Sequence, residues 1–185
     1  MNLREQEIIQ RLKKEDPKAF KDLFDMFYMP LCVYSLKFSD SYDFSEDVVQ
    51  ELFVSFWNKK TYLKIEGSVS SYLFKAVKNN TLQALKKKDR FSFEKLDVIV
   101  ESFITEEKEY DTLTIEKERR KLLQEIDSLP EKSKEVFKAI VLDNLKYKEV
   151  AEQLGITVNT VKTHYSRALK KLRKSLDVII LLLLY

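Results

Sequence analysis

Apolar residues recur along most of this chain at intervals of three and four, the period of helices that bury one face. Ile8, Ile9 and Leu12 mark a first helix over about residues 4–14. Asp16-Pro17 reads as a capping carboxylate followed by proline at the first helical position. Phe20, Leu23, Phe24, Phe27, Leu31, Tyr34 and Leu36 then form a broad aromatic stripe, read as core. Pro30 is expected to kink this helix or divide it. A third helix, capped by Asp43 or Ser45 and running to about Trp57, carries Val48, Val49, Leu52, Phe53, Phe56 and Trp57. After a loop with Gly67 and Ser68, a fourth spans about residues 69–88, with Tyr72, Leu73, Ala76, Val77 and Leu85 inward.

The periodicity lapses between about Phe91 and Asp111, where Glu94, Asp97, Glu101, Glu106, Glu107, Glu109 and Asp111 dominate. A stretch with this charge and no sustained period reads as a linker. Beyond it, helices are expected at about 115–128, 131–143, 146–154 and 158–176. With only two glycines and three prolines in 185 residues, turn chemistry for a β-rich fold is scarce. The fold class is therefore all-α: two small helical domains joined by an acidic linker, the second a helix-turn-helix. The boundaries fall at 1–90, 91–114 and 115–176, with a tail over 177–185.

The second domain holds the most informative stretch, "LKYKEVAEQLGITVNTVKTHYSRALKKL". Val150, Ala151 and Leu154 face inward on one helix, and Gly155 supplies the left-handed residue that ends it. Ile156 plugs the turn and Thr157 caps the next helix, which Val161, Tyr165, Ala168 and Leu169 anchor. Val158, Asn159, Thr160, Lys162, Thr163, Ser166, Arg167 and Lys170 are left on or near the outer side. Short hydroxyls and an amide near a helix start reach base edges or phosphates in a major groove, and cations hold the backbone. Lys171, Arg173 and Lys174 extend the positive charge. A solvated basic face is the bland alternative; turn, cap and anchors falling in register favour DNA. His164 reads as a surface or backbone-contacting residue.

Two further faces carry chemistry in the first domain. "DFSEDVVQELFVSFW" places Asp47 and Glu51 four residues apart with Gln50 beside them. Like charges at that spacing are mildly unfavourable in a helix, a cost that a basic partner surface would offset; for a charge pair alone, an ordinary solvated face is the favoured reading. The following helix is of opposite sign. Lys75, Lys78, Lys86, Lys87, Lys88 and Arg90 interleave with Tyr72, Phe74, Asn79 and Asn80, a pattern suited to unstacked nucleic-acid bases.

Composition narrows the alternatives. Hydrophobic residues make up 44% and charged residues 34%, and the net charge is +3. One cysteine, Cys32, and one histidine, His164, leave no internal disulfide, no thiolate zinc cluster and no multi-histidine metal site. No phosphate-cradling glycine loop and no catalytic triad is read, so no enzyme activity, cofactor, metal or small-molecule substrate is expected. No signal peptide is read in the polar first residues, and the reducing cytosol is the expected compartment. The apolar tail from Val178 to Tyr185 is far shorter than the roughly 20 residues of a membrane span. It is expected to cap a hydrophobic groove or fray, with membrane or partner docking as the lesser reading.

"SEDVVQELFVSFW", "SYLFKAVKNN", "LPEKSKEVF" and "YKEVAEQLGITVNTVKTHYSRALKKL", in this order and spacing, resemble the bacterial extracytoplasmic-function sigma factors of the sigma-70 family, over about Asp16 to Leu176. The resemblance implies a subunit that gives RNA polymerase its promoter specificity, with the family's region 2 in the first domain and region 4 in the second. Asp47, Gln50 and Glu51 then match the residues that bind the β′ clamp helices of core RNA polymerase, and the second domain matches the one that meets the β flap. Tyr72, Lys75, Lys78, Asn79, Asn80, Lys86 and Lys87 match the helix that recognises the −10 element and captures a flipped base beside the loop from Lys59 to Ser68. Thr157, Asn159, Thr160, Lys162, Thr163, Ser166, Arg167 and Lys170 match the reader of the −35 element in duplex promoter DNA. The resemblance further implies a linker that threads polymerase channels and an anti-sigma partner, membrane-anchored in many members. Tyr72 stands where members often have tryptophan, Lys78 where they often have arginine, and Asn144 near a frequent glycine. A stand-alone helix-turn-helix regulator of LuxR-like type is the alternative, though the receiver or ligand-binding domain such proteins carry would show strands before Glu116.

Overall fold

The structure, a computed structural model, describes residues 3–65, 67–88 and 112–184. The described residues fall into two compact units, within Met1–Glu106 and Glu107–Tyr185. Among them every regular element is helical, as the spacing predicts. The linker expected over 91–114 lies outside the described residues as far as residue 111.

The first unit contains α1 (Leu3–Lys13), α2 (Pro17–Leu36), α3 (Tyr42–Asn58), a 3-10 turn (Thr61–Leu63) and α4 (Val69–Lys88). Asp16 starts α2 as expected: its carboxylate accepts from the Lys18 N–H at 2.9 Å, with Pro17 at the first helical position. That backbone bond, then the Arg11 guanidinium, holds the Asp16 carboxyl below its usual range. Arg11 also donates to Asp22 at 2.8 Å, so the end of α1 is tied to the start of α2. Pro30 does not divide α2. It removes one N–H from the ladder, but Phe27, Leu31 and Leu36 are buried around it and the helix continues through. α2 packs against α1, α3 and α4, and α3 against α4. The core combines Leu23, Phe27, Leu31, Val49, Phe53, Phe56, Leu73 and Val77.

The cap of α3 differs from the expected Asp43 or Ser45. Ser41 takes an extended backbone and its hydroxyl accepts from the Phe44 N–H at 3.2 Å. Ser45 is buried one turn on, where its hydroxyl donates to the Ser41 carbonyl at 3.1 Å and lies 2.9 Å from the Ser39 hydroxyl. Three serines compete for one helix start, and burial of Ser45 against Ser39 leaves Ser41 the cap.

The second unit contains α5 (Thr112–Asp127), α6 (Glu131–Val141), α7 (Tyr147–Leu154), α8 (Val158–Lys171), a 3-10 turn (Arg173–Ser175) and α9 (Leu176–Leu184). α8 packs against α6 and α7 around Phe137, Val150, Val161, Tyr165 and Leu169. The single helix expected over 158–176 ends at Lys171. Leu172 leaves the helical region with φ −87° and ψ 19°, and the chain turns through Arg173–Ser175. The Ser175 hydroxyl donates to Glu125 at 2.7 Å and pins this corner to α5. The apolar tail thereby becomes α9, which packs on α5 and α6 and buries Val178, Ile179 and Ile180. This is the groove-capping arrangement. At nine residues α9 is about 14 Å long, and no described helix is long and apolar enough to cross a membrane.

Because Ile179 is fully buried between α9 and its neighbours, Ile179→Ala should cost about 2–5 kcal/mol. Hydrogen exchange would read this as lost amide protection in α5 and α6.

Candidate nucleic-acid and protein interfaces

The turn between α7 and α8 is built by one residue. Gly155 sits at φ 62° and ψ 35°, the left-handed region. The Ile156 N–H reaches the Ala151 carbonyl at 3.0 Å and the Gly155 N–H reaches Glu152 at 3.4 Å, the paired bonds of a Schellman motif. Thr157 then returns to extended backbone, and its hydroxyl accepts from the Thr160 N–H at 3.1 Å. Asn144 reaches φ 54° and turns the chain between α6 and α7, the geometry asparagine tolerates best after glycine.

The residues expected to face DNA all lie on or beside the outward side of α8, but they are not equivalent. Asn159, Arg167 and Lys170 are exposed. The hydroxyls of Thr157 and Thr160 lie 2.8 Å apart, and the Thr163 hydroxyl donates to the Asn159 carbonyl at 3.0 Å. These threonines therefore hold the start of α8: Thr163 keeps only acceptor capacity for a ligand, and one hydroxyl of the Thr157–Thr160 pair keeps its donor. Ser166 is half-buried, and Lys162 lays its ammonium over the Tyr147 ring at 5.6 Å. His164, expected at the surface or against backbone, is half-buried with Nδ1 3.3 Å from the Ser133 hydroxyl.

On α3, burial of Val48, Val49, Leu52 and Phe53 turns Asp47, Gln50 and Glu51 outward, and all three are exposed. No described cation pairs with Asp47 or Glu51. Gln50 is held from below: its amide donates to the Tyr28 hydroxyl at 3.1 Å, which donates to the buried Glu46 at 3.0 Å. Burial, foremost, pushes the Tyr28 phenol well above its ordinary range, so it stays a neutral donor. Val54, absent from the expected set, is 59% exposed on the same face. Its signal is in the sequence, since it lies seven residues from Asp47 and three from Glu51, at apolar odds with its polar neighbours.

On α4, Leu73, Val77 and Thr81 are buried. The period of the helix aligns Tyr72, Lys75, Asn79 and Lys86 in one outward stripe. Lys75, Asn79, Lys86 and Lys87 are exposed, and Asn80 is half-buried. Lys78 turns aside, its ammonium 5.9 Å from the Phe38 ring centre. Tyr72, expected inward from its helical spacing and also among the residues that meet unstacked bases, is 38% exposed, with its ring 6.1 Å from Phe56. It rests one edge on the core and offers a face to solvent. The loop before α4 is anchored by the buried Tyr62, whose ring lies 5.9 Å from Phe56 and 6.0 Å from Trp57.

Comparison with known families assigns this arrangement. Sigma-70 region 2 matches residues 23–91, and Sigma-70, region 4 matches residues 119–172, together most of the chain. The chain belongs to the sigma-70 family, as an extracytoplasmic-function member, and is a transcription initiation factor. It is similar to the ECF RNA polymerase sigma factor SigW of Bacillus subtilis (strain 168), with 26% identity over 91% of this chain and 94% of that protein. It is also similar to the ECF RNA polymerase sigma factor RpoE of Cereibacter sphaeroides, at 24% identity over 88% of each. Among solved structures, CnrH in complex with the cytosolic domain of CnrY matches at 19% identity and a TM-score of 0.39, covering 94% of this chain and 97% of that one. A stand-alone helix-turn-helix regulator would leave the region 2 match without account.

Replacing Gly155 by Ala places a Cβ on a left-handed residue and should cost about 1–2 kcal/mol. Gly155→Asn should cost less. Thermal unfolding of the three proteins orders them, and equal midpoints would discount the turn.

Proposed function

We propose that this chain binds bacterial core RNA polymerase through the outward face of α3 and directs it to promoters with a −10 and a −35 element. Asp47, Gln50 and Glu51 carry the docking on the β′ clamp helices, with Val54 as an apolar centre among them. Exposed carboxylates around one exposed apolar side chain suit a basic, amphipathic helical partner. The second unit meets the β flap. Tyr72, Lys75, Asn79, Lys86 and Lys87 follow the melted −10 strand, with Lys78 and Asn80 at the edges of that stripe. Rings and cations of this kind bind unstacked bases by stacking and phosphates by charge. Asn159, Arg167, Lys170, Ser166 and Lys162 contact the −35 duplex, positioned by Thr157, Thr160 and Thr163.

The observation that carries this reading is the order of the two sigma-70 regions in one chain, each with its polar face turned outward. Nothing in it requires catalysis: the cost of deforming and melting DNA is met by contacts present only in the open complex. The chain works in the cytoplasm, where polymerase and promoters are, and an anti-sigma protein would hold it inactive by covering these faces. The acidic stretch over 91–111 lowers affinity for DNA in the absence of polymerase.

Run-off transcription with bacterial core polymerase and a promoter library tests the whole reading. Transcripts starting at a fixed distance below a shared pair of elements are expected; neither binding nor initiation would refute it. Asp47→Arg with Glu51→Arg should abolish holoenzyme formation in a pull-down while leaving the helix content of the chain intact. Arg167→Ala should weaken −35 recognition by about 1–3 kcal/mol, read by footprinting. An unchanged footprint would remove α8 from the groove.

A further inference from the structure

We infer that α1 is a positioning element for the loop between α3 and α4, and that the Glu5 carboxylate sets where this loop and the first turn of α4 meet the melted strand. This rests on the proposed reading of α4 as the −10 helix.

The loop is held at both ends by acidic side chains from α1 and the turn that follows it. At its entry Lys60 adopts a left-handed backbone, φ 47°, and its ammonium donates to Glu15 at 2.5 Å. Glu15 is itself left-handed, at φ 61°. Two non-glycine residues in that region are uncommon, and here they face each other across one ion pair. Hydrogen bonding to Lys60 draws the Glu15 carboxyl below its usual range. At the loop's exit, the Glu5 side chain accepts from Ser70 Oγ at 3.1 Å and Ser68 Oγ at 3.4 Å. The two serine hydroxyls are 2.6 Å apart, and Ser68 also accepts from the Ser71 N–H at 3.3 Å.

Glu5 is only 7% exposed. A carboxylate is costly to bury and persists where hydrogen bonds and local charge hold it. Here it stands beside the N-terminal end of α4, where unpaired N–H groups and the helix dipole favour negative charge. Between the two pins, Tyr62 is locked against Phe56 and Trp57. The loop is thus fixed at three points, and among its described residues Lys59, Lys60, Leu63, Lys64 and Gly67 are exposed.

The pinned serine and the outward stripe of α4 are one turn apart. The Tyr72 N–H donates to the Ser68 carbonyl at 3.2 Å, so a shift of Ser68 moves Tyr72, the exposed ring of that stripe. The region 2 match begins at residue 23. Both acidic pins therefore come from outside the segment the family description covers, and they set the pose of a loop inside it.

The test uses full-length protein, bacterial core polymerase and a promoter fragment recovered from the library, either as duplex or with its −10 element mismatched open. Glu5→Ala should lower open-complex yield on the duplex about tenfold, the scale of a lost hydrogen bond to a charged group. It should also change the relative use of −10 base variants on the open template, with core binding at wild-type affinity. Glu5→Gln, which keeps an acceptor, should fall between. Lys60→Glu should show the same signature, and adding Glu15→Lys should restore it. Wild-type yield and base preference for Glu5→Ala would overturn the inference. So would a loss of yield that tracks a loss of core binding, since α1 would then merely hold the unit together. A wild-type protein that fails to initiate would instead refute the proposed function on which the inference stands.

Discussion

A short helix has one apolar stripe to bury, and in this protein that requirement decides which polar residues remain for partners. Val48, Val49, Leu52 and Phe53 go inward on α3, so Asp47, Gln50 and Glu51 must go outward. Val161, Tyr165, Ala168 and Leu169 do the same for Asn159, Arg167 and Lys170 on α8. Burial is the strong, non-directional force; the specific chemistry lies on whatever surface it leaves over. An exposed apolar residue on such a leftover face, as at Val54, then stands out against the pattern.

Beneath each outward face lies a set of polar contacts that limits its freedom. Tyr28 and Glu46 hold Gln50 from below. Thr157, Thr160 and Thr163 spend their hydroxyls on the first turn of α8. Groups immobilised before binding lose less entropy when a partner arrives, so a modest area can bind specifically. The same logic applies to charge. A net charge of +3 is a small sum over faces of opposite sign, acidic on α3 and basic on α4 and α8. Charge split in this way favours binding where several faces engage together over binding to polyanions at large.

Much of this was legible from local pattern. Asp16-Pro17, Gly155 and Thr157 specify helix boundaries by stereochemistry that acts within four residues, and each stands where the sequence places it. The stripes on α3 and α8 predict their buried faces for the same reason; on α2, Leu23, Phe27, Leu31 and Leu36 are buried, while Phe20, Phe24 and Tyr34 are half-buried. The start of α3 escapes that logic, because Ser41, Asp43 and Ser45 can all cap: burial removes Ser45, and the helix begins early enough to place Asp43 inside its first turn. An aromatic at helical spacing such as Tyr72 suits both core and base stacking in the sequence; its partial exposure depends on how closely Phe56 approaches.

What the sequence by itself determined is the set of helices, their capped ends, their apolar faces and the family to which their order belongs, because those signals act over one or two turns. Tertiary structure alone decided the rest. Nothing local ends α8 at Lys171; the chain turns there because Ser175 reaches Glu125, 50 residues away, and Ile179 finds a groove on α5 and α6. Glu5 looks like any surface glutamate in α1 until Ser70, 65 positions later, is folded against it. Contacts of that sequence separation leave no trace in periodicity, since each partner is compatible with many others until the core fixes which pair meets.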